Sequence, residues 1–371
     1  MIALAVKYSG CTFAGLIGTS DAGQEATGKL IAGTQLTLFN DYVDLISRSN
    51  CTYIGRAVDT WDWAPDFTAI ASNITAFNER VTGTHILGEY VAEKVPLNGP
   101  TYYSTILGRD YIFANMCKTP PVTGDTDCKD SYNQPEYVTY VTDIMTQSIN
   151  LGIQVFLFGE VGNTDSNGTL ASSQLVQVMN SMRTYAASKG QQVLYVAQFP
   201  STYGGSSYLN SFDLIQGAVY MNANGTIPNT PTVTNKDGPA PPRLWLATNA
   251  SGKPVYNPQK LVIEYDWFSN PIDDSSEMGC LSTNSQAYFD YLRSLSTANC
   301  PLGTMVGSAV PVTTAIYNNL KSLGVGFWRP GRQRVAYRPF IYTPMNLTLA
   351  PGTPEETNFN DEGVLVIGAA Q

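Results

Sequence analysis

Residues 152–163 read GIQVFLFGEVGN. A helix-like segment stops at Gly152, an apolar-rich run follows, and Glu160 stands where a strand should end. The segment before it, 136–150, places Tyr137, Tyr140 or Val141, Ile144, Met145 and Ile149 on one helical face. Helix, glycine stop, apolar run and acid form one unit, and the rest of the chain can be read against it.

Upstream, residues 2–8 (IALAVKY) read as a buried first strand, followed by a Gly/Thr/Ser-rich loop and a helix over 35–48. A second strand, 52–59, ends in Asp59, and Pro65 and Asp66 open a helix to about Val81. Gly83 stops that helix and 85–92 (HILGEYVA) is a third strand. The excursion 93–135 is long enough to imply a functional loop if it has no structure of its own. Downstream come a helix over 171–188 ending at Gly190, strands over 192–199, 214–221 and 260–267, helices over 283–296 and 311–322, and a last strand over 325–328. That makes eight strands, most separated by helices. Alternation of this kind implies a parallel sheet. The expected fold is α/β, a (β/α)8 TIM-like barrel over 1–342 with long disulfide-stapled loops. The tail, 343–371, is a C-terminal extension ending in the strand-like GVLVIGAAQ of 363–371. Folded back it completes its own domain; left free it offers self-assembly by strand addition. An open doubly wound sheet is the competing architecture, but KYSGCTFAG after the first strand lacks the GxGxxG spacing.

Composition narrows the function. Only 14% of the 371 residues are charged and the net charge is −9. No basic run gives a nucleic-acid footprint, and no apolar run is long enough to span a membrane. MIALAV is too short, and lacks the basic flank, to be a complete leader, so the chain reads as a mature form. The six cysteines are even in number and include no CxxC. Proximity pairs Cys117 with Cys128 and Cys280 with Cys300, leaving Cys11 with Cys51, as expected of a secreted or extracellular protein. Six N-x-S/T sites, at Asn50, Asn73, Asn167, Asn224, Asn249 and Asn346, are candidate glycan acceptors.

The only histidine is His85, placed at the start of the third strand, where it reads as structural. A single histidine at the N-terminal face argues against Ser-His-Asp chemistry and histidine-rich metal centres, and no metal or cofactor motif is present. Carboxylates remain. Asp59, Glu89, Glu160, Glu264 and Asp266 all lie in or near strand ends, with Trp61, Trp63, Tyr203, Trp267 and Trp328 nearby. Acids beside flat aromatic faces suit carbohydrate, and two carboxylates suffice to cleave a glycosidic bond without a cofactor.

On FLFGEVGN with Glu160 and LVIEYDW with Glu264, the chain resembles the (β/α)8 glycoside hydrolases that carry an acid/base Glu at the end of strand four and a nucleophile at the end of strand seven. The resemblance is architectural and covers about residues 1–330. It implies that Glu160 is the acid/base and that Glu264, or else Asp266, is its partner. Asp59 and Glu89 would then bind sugar hydroxyls or tune pKa values, and Trp61, Trp63, Tyr203, Trp267 and Trp328 would line the cleft. The chain departs from the pattern at Gly159, where those enzymes usually have Asn. The competing function is a non-catalytic extracellular structural or carbohydrate-binding glycoprotein on the same barrel, assembling through its C-terminal strand.

Overall fold

The computed structural model describes residues 2–13, 16–19, 43, 46–47, 51–59, 65–91, 93–98, 101–159, 161–165, 173–198, 208, 210–217, 260–264 and 326–332. It is a mixed α/β structure around a curled parallel sheet. We number the principal strands β1 Gly10–Phe13, β2 Tyr53–Asp59, β3 Ile86–Val91, β4 Val155–Phe158, β5 Leu194–Gln198, β6 Leu214–Gly217, β7 Leu261–Glu264 and β8 Gly326–Arg332. Each pairs in parallel with the next, and β1 pairs with both β2 and β8. The short strand Gly18–Thr19 adds to the end of β2. The described helices are α1 Ile2–Tyr8, α2 Phe67–Arg80, α3 Pro135–Asn150, α4 Val161–Thr164 and α5 Gln174–Ser188. The helices expected over 35–48 (residues 43 and 46–47 excepted), 283–296 and 311–322 lie outside the described residues, as does the tail.

Local sequence explains the boundaries. Asp66 caps α2 by accepting the backbone N–H groups of Thr68 and Ala69 at 3.0 and 3.1 Å. Pro135 begins α3 where no helical N–H is needed. Gly152 turns the chain into β4 at φ +86°, a left-handed conformation that costs a side-chain-bearing residue strain. The expected inward face of α3 is buried at every position named: Tyr137, Tyr140, Val141, Ile144, Met145 and Ile149.

The first strand is displaced from its expected position. Residues 2–8 form a helix, and the strand is the GCTF that follows. A short apolar run does not distinguish strand from buried helix by periodicity. Here tertiary packing decides, because Val6 joins the cluster inside the sheet and its carbonyl accepts the Trp328 indole N–H at 2.7 Å. Helix α1 therefore covers the N-terminal ends of the strands. Gly10 and Gly326 permit this closeness. A Cβ at Gly10 would lie 2.9 Å from the Tyr53 ring, and one at Gly326 3.0 Å from Val262 Cγ2.

The excursion 93–135 is structured. It holds the antiparallel pairs Lys94–Pro96 with Asp127–Lys129 and Tyr103–Ser104 with Arg109–Asp110, a 3₁₀ turn at Phe113–Met116 and the Cys117–Cys128 disulfide. Glu136, in the first turn of α3, fastens it. Its carboxylate accepts from Arg109 Nη1 at 2.7 Å, the Ile112 N–H at 2.7 Å and Asn115 Nδ2 at 3.0 Å. The Cys11–Cys51 disulfide ties β1 to the residues entering β2. Cys280 and Cys300 lie outside the described residues.

Two apolar layers result. Ile54, Leu87, Phe156, Phe158, Ala197 and Ile215 face the helices, while Tyr53, Ile86, Tyr90, Val155, Leu157 and Val196 face inward with Leu194, Leu214, Val262 and Trp328. Trp328 is fully buried against Tyr53, ring centroids 5.1 Å apart. Trp328→Ala should cost about 3–5 kcal/mol, read as a lower midpoint in urea denaturation. A midpoint unchanged from wild type would show that the floor does not depend on the indole.

Candidate functional site

The inward positions change character along the strands. Toward their N-terminal ends they are Tyr53, Ile86, Val155, Leu194 and Trp328. At their C-terminal ends stand Asp59 on β2, Tyr90 on β3, Gln198 on β5 and Gln216 on β6, with Glu93 just beyond β3. Parallel eight-stranded barrels carry their chemistry at this end, where the following loops converge.

A bulge in β2 brings a cation into this group. Ile54 pairs with Leu87 and Val58 with Glu89, so Gly55, Arg56 and Ala57 stand opposite Gly88 alone. Arg56 takes φ +56°, a left-handed conformation costing a non-glycine residue about 1–2 kcal/mol. Its Nη2 donates to Asp59 Oδ2 at 2.7 Å, and its guanidinium lies 4.3 Å from the centre of the Tyr90 ring. Both charges are buried, so the pair must recover its desolvation through mutual attraction and the stacked phenol.

Tyr90 continues the chain of contacts. Its hydroxyl lies 2.7 Å from Gln198 Oε1 and 3.1 Å from Glu93 Oε2. Gly159 leaves them room, since a Cβ there would lie 2.8 Å from Glu93 Oε2 and clash with the Tyr90 hydroxyl. An Asn at 159, usual in the hydrolases the sequence resembles, would not fit beside this pair.

The remaining expected residues are distributed as follows. Asp59 is in the polar group. Glu89 is not, because it alternates with Tyr90 and is fully buried. The Ser148 hydroxyl on α3 faces it and favours its charged form, yet neither carboxyl oxygen has a well-formed hydrogen bond among the described residues. Burial, helped by the Asp59 charge, pushes its pKa up to about 8. Trp328 fills the floor instead of lining a cleft, since its indole is enclosed and bonded to Val6. Glu264 is the last residue of β7, paired with Trp328. Glu160, Asp266, Trp61, Trp63, Tyr203 and Trp267 lie outside the described residues. So do the candidate glycan sites Asn50, Asn167, Asn224, Asn249 and Asn346. Asn73 sits within α2, and its amide nitrogen, the atom a glycan would occupy, donates to the Ile17 carbonyl at 2.6 Å. His85 precedes β3 with its ring edge-on to Phe77 at 5.6 Å, and burial lowers its pKa. Among the described residues no group of three or more His, Cys, Asp or Glu is placed to hold a metal, and no helix is long and apolar enough to cross a membrane.

Sequence reasoning missed Arg56, Glu93, Gln198 and Gln216. Glu93 carried a signal, being an acid three residues past Tyr90. Arg56 carried none, because a cation in mid-strand reads as solvent-facing.

No family model matches the chain, and no curated protein does. Among solved structures it is similar to a noncanonic maltogenic α-amylase from Thermotoga neapolitana, at 9% identity over 55% of this chain and 48% of that one, TM-score 0.31. An α-galactosidase from Thermus thermophilus follows at 13% identity, 58% and 43% coverage and TM-score 0.32. A GH27 β-L-arabinopyranosidase from Geobacillus stearothermophilus stands at 9%, 58%, 54% and 0.32. All three are glycoside hydrolases, and the match spans about half the length of each. Likenesses this distant assign no role to any residue.

The raised pKa of Glu89 has a measurable consequence. The folded chain keeps a proton that the unfolded chain releases, so stability falls as pH rises from about 4.5 to about 8, by at most about 1.4 kcal/mol per pH unit. Glu89→Gln should remove that loss. Urea denaturation at pH 5 and pH 8 should show the variant gaining on wild type at the higher pH, and equal differences at both would refute a neutral Glu89.

Proposed function

We propose that the chain is a secreted glycoside hydrolase built on a (β/α)8 barrel. The observation that carries this reading is the step in the strands' inner face, apolar and sealed by α1 at one end, polar at the other. The two described disulfides fit an oxidising compartment. A polar C-terminal end holding acids, amides and a phenol suits a neutral ligand rich in hydroxyls.

In this reading Glu160, just past β4, protonates the leaving oxygen. Glu264 at the end of β7, or else Asp266, attacks the anomeric carbon or activates water. The separation of the two carboxyls sets the outcome: about 5–5.5 Å for retention and roughly 6.5–9.5 Å for inversion. Asp59, held by Arg56, binds a sugar hydroxyl or tunes the pKa values of its neighbours.

Glu160→Ala should lower kcat by about 10²–10⁴-fold on a glycoside that wild type hydrolyses, as expected for loss of a general acid. Glu264→Ala should do the same if Glu264 is the partner; full activity there transfers the role to Asp266. Full activity in Glu160→Ala sinks the acid/base assignment. A wild-type chain that binds sugars without cleaving any glycoside would instead be a carbohydrate-binding barrel.

A further inference from the structure

Resting on the hydrolase reading, we infer that Glu93 and Gln198 together bind one hydroxyl group of the carbohydrate, with Tyr90 as the residue that positions both. The assignment comes from the contacts at the Tyr90 hydroxyl. That oxygen has one proton to give, and among the described residues it lies near the acceptors Gln198 Oε1 and Glu93 Oε2. The shorter contact, 2.7 Å to Gln198 Oε1, takes the larger share, and Glu93 Oε2 at 3.1 Å receives the smaller.

Gln198 is 1% exposed, and its Nε2 has no partner among the described residues. A buried amide N–H₂ left unpaired is costly, so native structures seldom leave one without a role. Glu93 Oε2 touches the same phenol oxygen that fixes Gln198 Oε1, so an amide with a donor to spare and a carboxyl acceptor converge on one atom. The smallest group that serves both is a hydroxyl: its oxygen accepts from Gln198 Nε2 and its proton goes to the Glu93 carboxylate. A ketone or ether serves only Gln198, and an ammonium group only Glu93.

Three features hold the geometry. Arg56 stacks on the Tyr90 ring at 4.3 Å and is itself held by Asp59. Glycine at 159 leaves the space that Glu93 Oε2 and the Tyr90 hydroxyl occupy. Gln198 closes β5 in register with Gln216 on β6. None of these residues donates or accepts a proton in bond cleavage. They select the substrate and orient it.

The test uses the full chain and a panel of p-nitrophenyl α- and β-glycosides of glucose, galactose, mannose, xylose and N-acetylglucosamine. The monodeoxy forms of whichever parent is hydrolysed complete the set. Glu93→Gln should lower kcat/KM on the parent roughly 10- to 100-fold, as expected for loss of a hydrogen bond to a charged group. On one deoxy analogue, and only one, the same substitution should have little effect, because the hydroxyl it served is gone. Gln198→Met should single out the same analogue, and Tyr90→Phe should weaken discrimination at that position while leaving the other deoxy positions alone. Equal losses on every deoxy form would mean a structural role and overturn the assignment. If Glu93→Gln does not fold, Gln198→Met carries the same comparison. A wild-type chain that hydrolyses none of the panel overturns the hydrolase reading and this assignment with it, whereas an active wild type with unchanged variants overturns this assignment alone.

Discussion

The interior of the sheet is organised by large rings meeting glycines across neighbouring strands. Trp328 on β8 lies against Gly10 on β1, Tyr53 on β2 against Gly88 on β3, and Tyr90 on β3 against Gly159 after β4. A Cβ at Gly88 would stand 2.8 Å from the Tyr53 ring. Interiors pack at crystal density, so each ring requires the neighbouring strand to give up its side chain. Two of these pairs build the floor. The third lifts a phenol hydroxyl to the C-terminal ends of the strands, where Glu93 and Gln198 meet it. The polar end and the apolar floor are thus consequences of one packing rule applied at two heights.

Arg56 shows what that arrangement costs. A bulge sets three residues against one, turns Arg56 left-handed and buries its charge with Asp59. Neither step stabilises the fold relative to a regular strand with an apolar residue in its place. Strain in mid-strand, with the buried charge it carries paired to the strand's last residue, is the pattern expected where conformation serves binding. The excursion after β3 has a different economy. It is pinned by Glu136 through three hydrogen bonds and closed by its own disulfide, and among the described residues only its first, Glu93, meets the polar group.

Much of the fold was legible because helix stops and strand runs are local. Gly83, Gly152 and Gly190 all take positive φ at the ends expected of them, and the buried face of α3 follows directly from its 3.6-residue period. The first strand was not legible, since IALAVKY is apolar enough for either conformation and only contact with Trp328, over three hundred residues away, selects helix. The site was legible in part. Asp59 at a strand end was visible. Gln198 was not, because a neutral amide carries no motif, and Arg56 was not, because its direction depends on a bulge that no residue type announces.

Glu89 marks where residue type and position separate. It is a buried acid with a raised pKa, and such groups are enriched at functional sites. Yet side chains alternate along a strand, and Glu89 and its neighbour Tyr90 necessarily leave β3 on opposite faces. Ile86 and Tyr90 point inward with the floor and the polar end, while Leu87 and Val91 pack under the helices. Glu89 shares the second set and meets Ser148 of α3. Its proton is therefore held mainly by burial, with help from the Asp59 charge, in the layer under the helices. A perturbed pKa identifies a group in an unusual environment, and the parity of the strand decides whether that environment belongs to the site. Tyr90, its neighbour in sequence, is on the face that does.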